Sequence, residues 1–369
     1  MRAVKSQGRE GIELSAEAAP VAAVETPIVP FGRMVGQGGA LRLLQSYLRR
    51  TALPPALLFV GGEGIGKAVL ARTFTAALFC AHRTLNGDFI EPCGVCPSCR
   101  KIVRATHADL IWIAPEEAAR EIKIDAIRAM QERIVFRPVE APKIVVIVDP
   151  ADALNLSAVH RLLKTLEEPP PYLLFLLITS RPDALPDTVR SRCQTVPFHP
   201  LALSQIETLL GKMRGWSADD ARLVAAMSGG RLGAALASTP DAARAAEAEL
   251  HRLVAKETLA DYSVLFAVAR RYAEKAETMR QALDYLAGWF RDLLVLQSMP
   301  TAPSAAWLVY AWRYDEMKSW AEKIDTHTVG RLLARITEIE RDQTRHINNQ
   351  LALETLLITL RDHLMGVAT

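Results

Sequence analysis

The sequence contains no apolar run of about 18 residues, so no stretch of it suits a membrane-spanning helix. Its first residues, MRAVKSQGREGIEL, hold no apolar signal core, and a cytoplasmic protein is expected. Charge of one sign is not in excess. Lys plus Arg number 44 and Asp plus Glu 41, and a net charge of +3 does not by itself point to nucleic acid. Aromatics make up 6% of the chain and do not interleave with basic residues in a stripe, which counts against a stand-alone DNA-binding module. No internal repeat is present.

What is there is an ordinary globular mix, half hydrophobic and 23% charged, over 369 residues, enough for two or three domains. Residues 1–26, rich in Ala, Glu, Val and Pro without periodicity, are expected to form a disordered tail. Beyond them, buried-strand patterns (ALLFV at 56–60, DLIWIA at 109–114, KIVVIVD at 143–149, YLLFLLITS at 172–180, QTVPF at 194–198) alternate with helical ones (37–51, 67–81, 122–136, 155–169). Apolar strands alternating with helices predict an α/β fold with a parallel sheet covered on both faces. After about residue 200 strands vanish, and helical patterns fill 203–253 and 257–365 with a break near 299–304. The division expected is a nucleotide-binding-like domain over 27–200, a small helical domain over 201–255 and a larger one over 256–369. In the last part QALDYLAGWFRDLLVLQ (281–297) and HINNQLALETLLITLRDHL (346–364) each carry a broad apolar face, fit for core or for assembly.

Three groups of residues carry chemistry. GGEGIGK, Gly61 to Lys67, lies between a strand and a helix and matches G-x-x-x-x-G-K. Glycines at Gly61, Gly64 and Gly66 let amides turn toward phosphate oxygens, the helix N-terminus adds positive potential, and Lys67 would reach the terminal phosphates. The next residue, where a hydroxyl normally holds Mg²⁺, is Ala68. The strand KIVVIVD ends in Asp149, well placed for a metal-ordering carboxylate, but Pro150 follows where an ATPase usually carries Glu. Asp152 is free to cap a helix instead. Two hydrolytic parts are missing at once, so ATP or ADP held without turnover, or no nucleotide at all, is expected. Cys80, Cys93, Cys96 and Cys99, spaced C-x12-C-x2-C-x2-C, hold four of the five cysteines and suit structural zinc, with no position left open for catalysis. A redox C-x-x-C pair would account for only two of them. Finally, Arg190 and Arg192 flank Ser191 just before the last strand, where an arginine could form a surface ion pair or project into a neighbour's nucleotide site.

The order of these blocks, with THADL (106–110), LLKTLEEPPP (162–171), ITSRP (178–182) and RSRC (190–193), resembles the delta-prime subunits of the bacterial DNA polymerase III clamp loader over roughly residues 30 to 365. The resemblance implies an AAA+ module with an inserted zinc module at 80–99, then a helical lid and a helical collar. Its partners would be the delta and gamma/tau subunits, acting on the sliding clamp and primed DNA. Delta-prime subunits serve as stators that do not turn over ATP, as Ala68 and Pro150 suggest on their own. The resemblance further implies Arg192 as an arginine finger acting in trans, Thr179 (or Ser180) at the sensor position, and Val35, Gly36 and Gln37 near the adenine. It makes Arg231, in GGRLGAAL (229–236), a second, phosphate-facing sensor. The intact Gly66–Lys67 pair keeps a gamma/tau-type ATPase motor as the rival, although such a motor should show G-K-[ST] and Asp-Glu.

Overall fold

The computed structural model describes residues 28–50, 53–116, 119–299, 307–342 and 348–365, so the expected tail and most of the break at 299–304 lie outside the described residues. The first part contains α1 (Gly38–Arg49), β1 (Ala56–Val60), α2 (Lys67–Phe79), β2 (Thr84–Asn86), β3 (Phe89–Glu91), α3 (Pro97–Val103), β4 (Leu110–Ile113), α4 (Ile124–Ile134), β5 (Ile144–Val148), α5 (Leu156–Glu167), β6 (Leu173–Thr179), α6 (Asp187–Arg190) and β7 (Gln194–Pro197). Five strands form one parallel sheet in the order β4-β5-β6-β1-β7.

The expected two-faced burial is visible residue by residue in β5. Val145 and Ile147 pack on one side with Leu44, Phe59, Leu70 and Phe74, which belong to α1, β1 and α2. Ile144, Val146 and Val148 pack on the other with Ile127, Leu162 and Val189, which belong to α4, α5 and α6. Adjacent residues point to opposite faces of a strand, so a run apolar at every position can serve only a sheet covered on both sides. The parallel register then sets the site. Val60 pairs with Thr179 and Val148 with Leu177, which brings the ends of β1, β5 and β6 to one edge of the sheet.

One departure from the sequence reading lies between Cys80 and Cys93, read as loop. It holds the antiparallel hairpin β2–β3, turning at Gly87–Asp88 with Gly87 at φ +58°. Gly-Asp between Thr-Leu-Asn and Phe-Ile is a two-residue hairpin signal that the cysteines' spacing overshadowed.

The remainder is helical among the described residues: α7 (Leu203–Arg214), α8 (Ala218–Met227), α9 (Leu232–Ala237), α10 (Pro240–His251), α11 (Lys256–Ala260), α12 (Tyr262–Ala273), α13 (Ala276–Ser298), α14 (Tyr314–Ala321), α15 (Thr326–Asp342) and α16 (Asn349–Leu364). A small core joins Ile206, Leu210, Val224 and Ala243. A larger one is centred on Trp289, Phe290 and Trp320 and takes in Leu250, so α10 feeds both. Leu283, Leu286, Phe290 and Leu293 of α13 are fully buried in it, which makes that apolar face core within the chain.

Candidate nucleotide and metal sites

The loop after β1 turns through three glycines of positive φ, Gly61, Gly64 and Gly66. Gly61 stands at φ +154°, and a Cβ there would lie 2.6 Å from the Phe198 carbonyl oxygen, so only glycine fits. Gly66 caps α2 in the left-handed region and offers no side chain to the first-turn amides. Lys67 folds back over this loop. Its Nζ donates to the carbonyl oxygens of Gly61 and Gly62, each at 2.5 Å. Burial pushes the ammonium's pKa down, against the pull of Asp149, Glu63 and Asp152. Ala68 rests partly against the apolar core and presents no metal-binding oxygen.

Asp149 leaves the end of β5, its amide donating to the Ile113 carbonyl at 2.9 Å. Burial raises its carboxyl to about 6, Lys67 opposing and Asp152 reinforcing the shift. Asp152 does not cap a helix. The cap of α5 is Asn155, whose side chain accepts from the Ala158 amide. Asp152 instead takes the Thr179 hydroxyl on Oδ1 at 2.7 Å and the Arg181 guanidinium on Oδ2 at 2.9 and 2.8 Å. Thr179 is buried, and its carbonyl receives the Gly61 amide at 3.2 Å, which ties it to the phosphate loop. Lys67, Asp149, Asp152 and Thr179 thus form one cluster, and the three-residue offset of Asp152 from Asp149 gave no hint of its place in it.

Gln37 is also at this site. Its Nε2 donates to the His199 carbonyl at 2.7 Å and its Oε1 accepts the His199 amide at 3.2 Å, which joins the stretch before α1 to the segment leaving β7. Arg231, expected to face a phosphate, turns its guanidinium toward α13. Its NH1 donates to Asp284 Oδ2 of α13 at 2.8 Å. The first turn of α9 nevertheless sits on the loop, the Gly233 amide donating to the Gly64 carbonyl at 3.1 Å. Arg192 lies apart from this chain's own loop. It is partly exposed, donating to the Thr188 carbonyl and to Glu167 Oε1, both at 2.8 Å. Arg190 pairs with Asp183 and Asp187.

The four cysteines meet as their spacing suggested. Cys80 ends α2, Cys93 follows β3, Cys96 caps α3 ahead of Pro97, and Cys99 sits within α3. Their sulfurs all lie within 4.8 Å of one another, with Cys80 and Cys96 at 3.9 Å. Zn–S bonds of about 2.3 Å place tetrahedral sulfurs roughly 3.8 Å apart, so the donor set fits zinc. The Cys93 and Cys96 amides donate to the sulfurs of Cys80 and Cys93, each at 3.3 Å, a pattern suited to thiolates. Burial raises the Cys93 thiol, but hydrogen bonds from Val95, Cys96 and Cys80 outweigh it and hold the group at about 6. The neighbouring hairpin brings in Glu91, a residue the sequence reading passed over. Its buried carboxylate accepts the Phe31 and Gly32 amides at 2.8 Å each, fastening the start of the described chain to the cysteine module.

A family model described as DNA polymerase III, delta subunit, matches residues 36–202. The DNA polymerase III subunit delta' of Bacillus subtilis is 29% identical over 88% of this chain and 96% of its own length. That of Pseudomonas aeruginosa is 35% identical over 47% of this chain and 52% of its own. The DNA polymerase III subunit tau/gamma of Haemophilus influenzae is 37% identical over 48% of this chain but only 24% of its own length. The chain is thus similar to subunits of the DNA polymerase III clamp loader.

Proposed function

We propose that this chain is the delta-prime-type subunit of a DNA polymerase III clamp loader, a stator that helps load the sliding clamp onto primed DNA in the cytoplasm without hydrolysing ATP itself. The observation that carries the reading is the chemistry of the loop. Ala68 presents no hydroxyl for Mg²⁺, Pro150 supplies no base after Asp149, and Asp152 is committed to Thr179 and Arg181. The position after Asp149, where a carboxylate would polarise an attacking water, is thus without one. The cradle itself is intact, so ATP or ADP can be held as a static ligand by Gly61, Gly64, Gly66 and Lys67. A match running along nearly the whole of a delta' relative, against about a quarter of a tau/gamma relative, supports the same assignment.

On this reading residues 27–200 are the AAA+ domain, 201–255 the lid and 256–369 the collar that packs with delta and gamma/tau subunits. Zinc on Cys80, Cys93, Cys96 and Cys99 is structural. Arg192 acts in trans, its guanidinium leaving Glu167 to stabilise charge at ATP bound by a neighbour. Calorimetry of the purified chain with ATP and ADP, with and without Mg²⁺, tests the core of the assignment when hydrolysis is followed in the same sample. Binding without turnover is expected. Steady turnover abolished by Lys67→Ala would make the chain a gamma/tau-type motor.

A further inference from the structure

The described chain begins against the cysteine module. Ile28 packs on the buried Cys80, Cys96 and Cys99, the Thr73 hydroxyl donates to the Val29 carbonyl at 3.1 Å, and Glu91 of β3 holds the Phe31 and Gly32 amides. The hairpin fastened in this way has a second face. Thr84 pairs with Glu91 and Leu85 with Ile90, so Thr84 lies on the side of Glu91 and Leu85 on the other. Leu85 is 72% exposed. Exposed Arg83 stands two residues before it, and Arg49 reaches from the end of α1 to donate to the Asp88 carbonyl in the turn. Arg100 and Arg104, one turn apart at the end of α3, add positive charge to the same module. These four arginines are exposed and form no ion pair among the described residues. Between Cys80 and Arg104 the acids are Asp88 and the buried Glu91, so the module's surface is basic.

The sequence ahead of Ile28 has the complementary chemistry. Residues 10–27 read EGIELSAEAAPVAAVETP, with glutamate at Glu10, Glu13, Glu17 and Glu25, no Lys or Arg, and Ile12 and Leu14 on either side of Glu13. All four glutamates lie within a chain reach of at most about 65 Å from the anchored Ile28. We propose that the basic hairpin face is the docking site of the chain's own acidic segment, residues 10–25, whose glutamates pair with Arg49 and Arg83 while Ile12 and Leu14 cover Leu85. Exposed ion pairs are weak, worth about fivefold or less each in an equilibrium. Tethering offsets this. A segment joined to its site by a short stretch of chain meets it at about millimolar effective concentration, so contacts too weak to hold a separate peptide hold this one. The attraction is electrostatic and fades with salt, acting over about 10 Å at 0.1 M. The docked segment screens the arginines from other polyanions, and the module presents its basic surface only when that segment is displaced.

The test is amide hydrogen exchange of the full chain at low and high salt, with a synthetic peptide of residues 1–27 as the reference for the undocked segment. Four proteins are compared: wild type, Glu13→Lys with Glu17→Lys, Arg49→Glu with Arg83→Glu, and all four substitutions together. In the wild type at low salt, residues 10–25 should exchange about twofold or more slowly than in the peptide, and 0.5 M salt should remove the difference. Either charge-reversed pair should return the segment to the peptide's rate, and the combined variant should restore the protection. The readout lies in the segment, so damage to the hairpin alone cannot produce the rescue. A wild-type segment exchanging at the peptide's rate overturns the proposal. Protection that survives reversal of Arg49 and Arg83 does so too, as does a combined variant that fails to regain it. Oligodeoxythymidine that slows exchange in β2 without quickening the segment would make nucleic acid the occupant of this face and likewise overturn it.

Discussion

The hydroxyl of Thr179 donates to Asp152 at 2.7 Å, across 27 residues of sequence. This bond joins the end of β6 to the turn after β5 and completes a chain of contacts from Arg181 through Asp152 and Thr179 to the amide of Gly61. A side chain expected to sense phosphate is thus hydrogen-bonded to an acid expected to cap a helix. The edge of the sheet is satisfied internally, and Asp149 is left as the carboxylate facing Lys67 without such partners.

Asp149 is predicted to be held at a cost in stability. Its folded carboxyl, at about 6, lies above the ordinary 3.8, so the fold prefers the protonated acid. The sign follows. Stability from this group is greatest below the unfolded value and falls as pH rises through about 6, a loss of at most about 3 kcal/mol at roughly 1.4 kcal/mol per pH unit. Asp149→Asn removes the buried charge but deprives Lys67 of its main attraction, so a net gain of about 1 kcal/mol is expected. Denaturant melts at pH 5 and pH 8 check it. The variant should be the more stable at pH 8, with the gap narrowing at pH 5, and equal curves at both would refute the assignment of strain to Asp149.

Asp109 behaves in the opposite sense. Its carboxylate is fully buried, which would raise its pKa, yet it accepts the amides of Val139, Glu140 and Ala141 at 2.7–2.8 Å, and these hold it below the usual range. Its contribution is present above the unfolded pKa of 3.8 and is lost as pH falls through the depressed folded value. Asp109→Asn places a donor against the Glu140 and Ala141 amides and should cost about 2–4 kcal/mol at neutral pH. The deficit should shrink as wild type approaches acid unfolding, which urea melts between pH 3 and pH 7 will show.

The Asp109 contacts also mark what could be read in advance. Runs such as IVVIV and LLFLLIT announce themselves because two-sided burial demands an apolar residue at every position. The glycine loop and the cysteine quartet are legible because their chemistry fixes residue type and spacing together. Asp152, Glu91 and Asp284 were not legible as partners. Each finds its contact 27 to 60 residues away, and no local periodicity encodes which cation, hydroxyl or amide a lone carboxylate will meet. The partner of Arg231 was illegible for the same reason. Its position at the start of α9 was readable, but the anion that captures it belongs to another helix 53 residues on.

Gly36 carries a purely steric constraint. At φ +80°, an added Cβ would lie 2.0 Å from Leu201 Cδ2, in the segment that Gln37 ties to His199. Gly36→Ala combines a left-handed backbone with a clash and should destabilise the chain by about 1–3 kcal/mol. A thermal midpoint within a degree of wild type would show that the junction tolerates the side chain.

Removal of one thiolate tests the metal. Cys96→Ser should lower bound zinc from near one equivalent per chain, by elemental analysis, to little or none. Amide exchange should quicken over the β2–β3 hairpin, α3 and the Glu91 contacts to Phe31 and Gly32, while the distant core around Trp289 and Trp320 stays protected. Native protein free of zinc would reject the assignment, and loss of protection around Trp289 would show that the module supports more of the fold than its own surroundings.

Arg192 separates a surface ion pair from a residue that acts on a neighbour. Within the chain its bonds to Glu167 and the Thr188 carbonyl are solvent-exposed, and such pairs are worth about 0–1 kcal/mol, so Arg192→Ala should melt close to wild type. If its role lies in trans, the same variant assembled with gamma/tau and delta subunits should lose clamp- and DNA-stimulated ATP turnover at the one site it serves, while assembly is unchanged. Loss of an arginine finger costs about 10³-fold or more at its own site, so a complex with several motor sites should retain the turnover of the others. Glu167→Ala is the matched control, since it breaks the same ion pair yet leaves the guanidinium free to reach a neighbour. Loss in Arg192→Ala together with normal turnover in Glu167→Ala assigns the effect to the arginine, whereas equal losses would reduce it to local structure and unchanged turnover in both would remove Arg192 from the reaction.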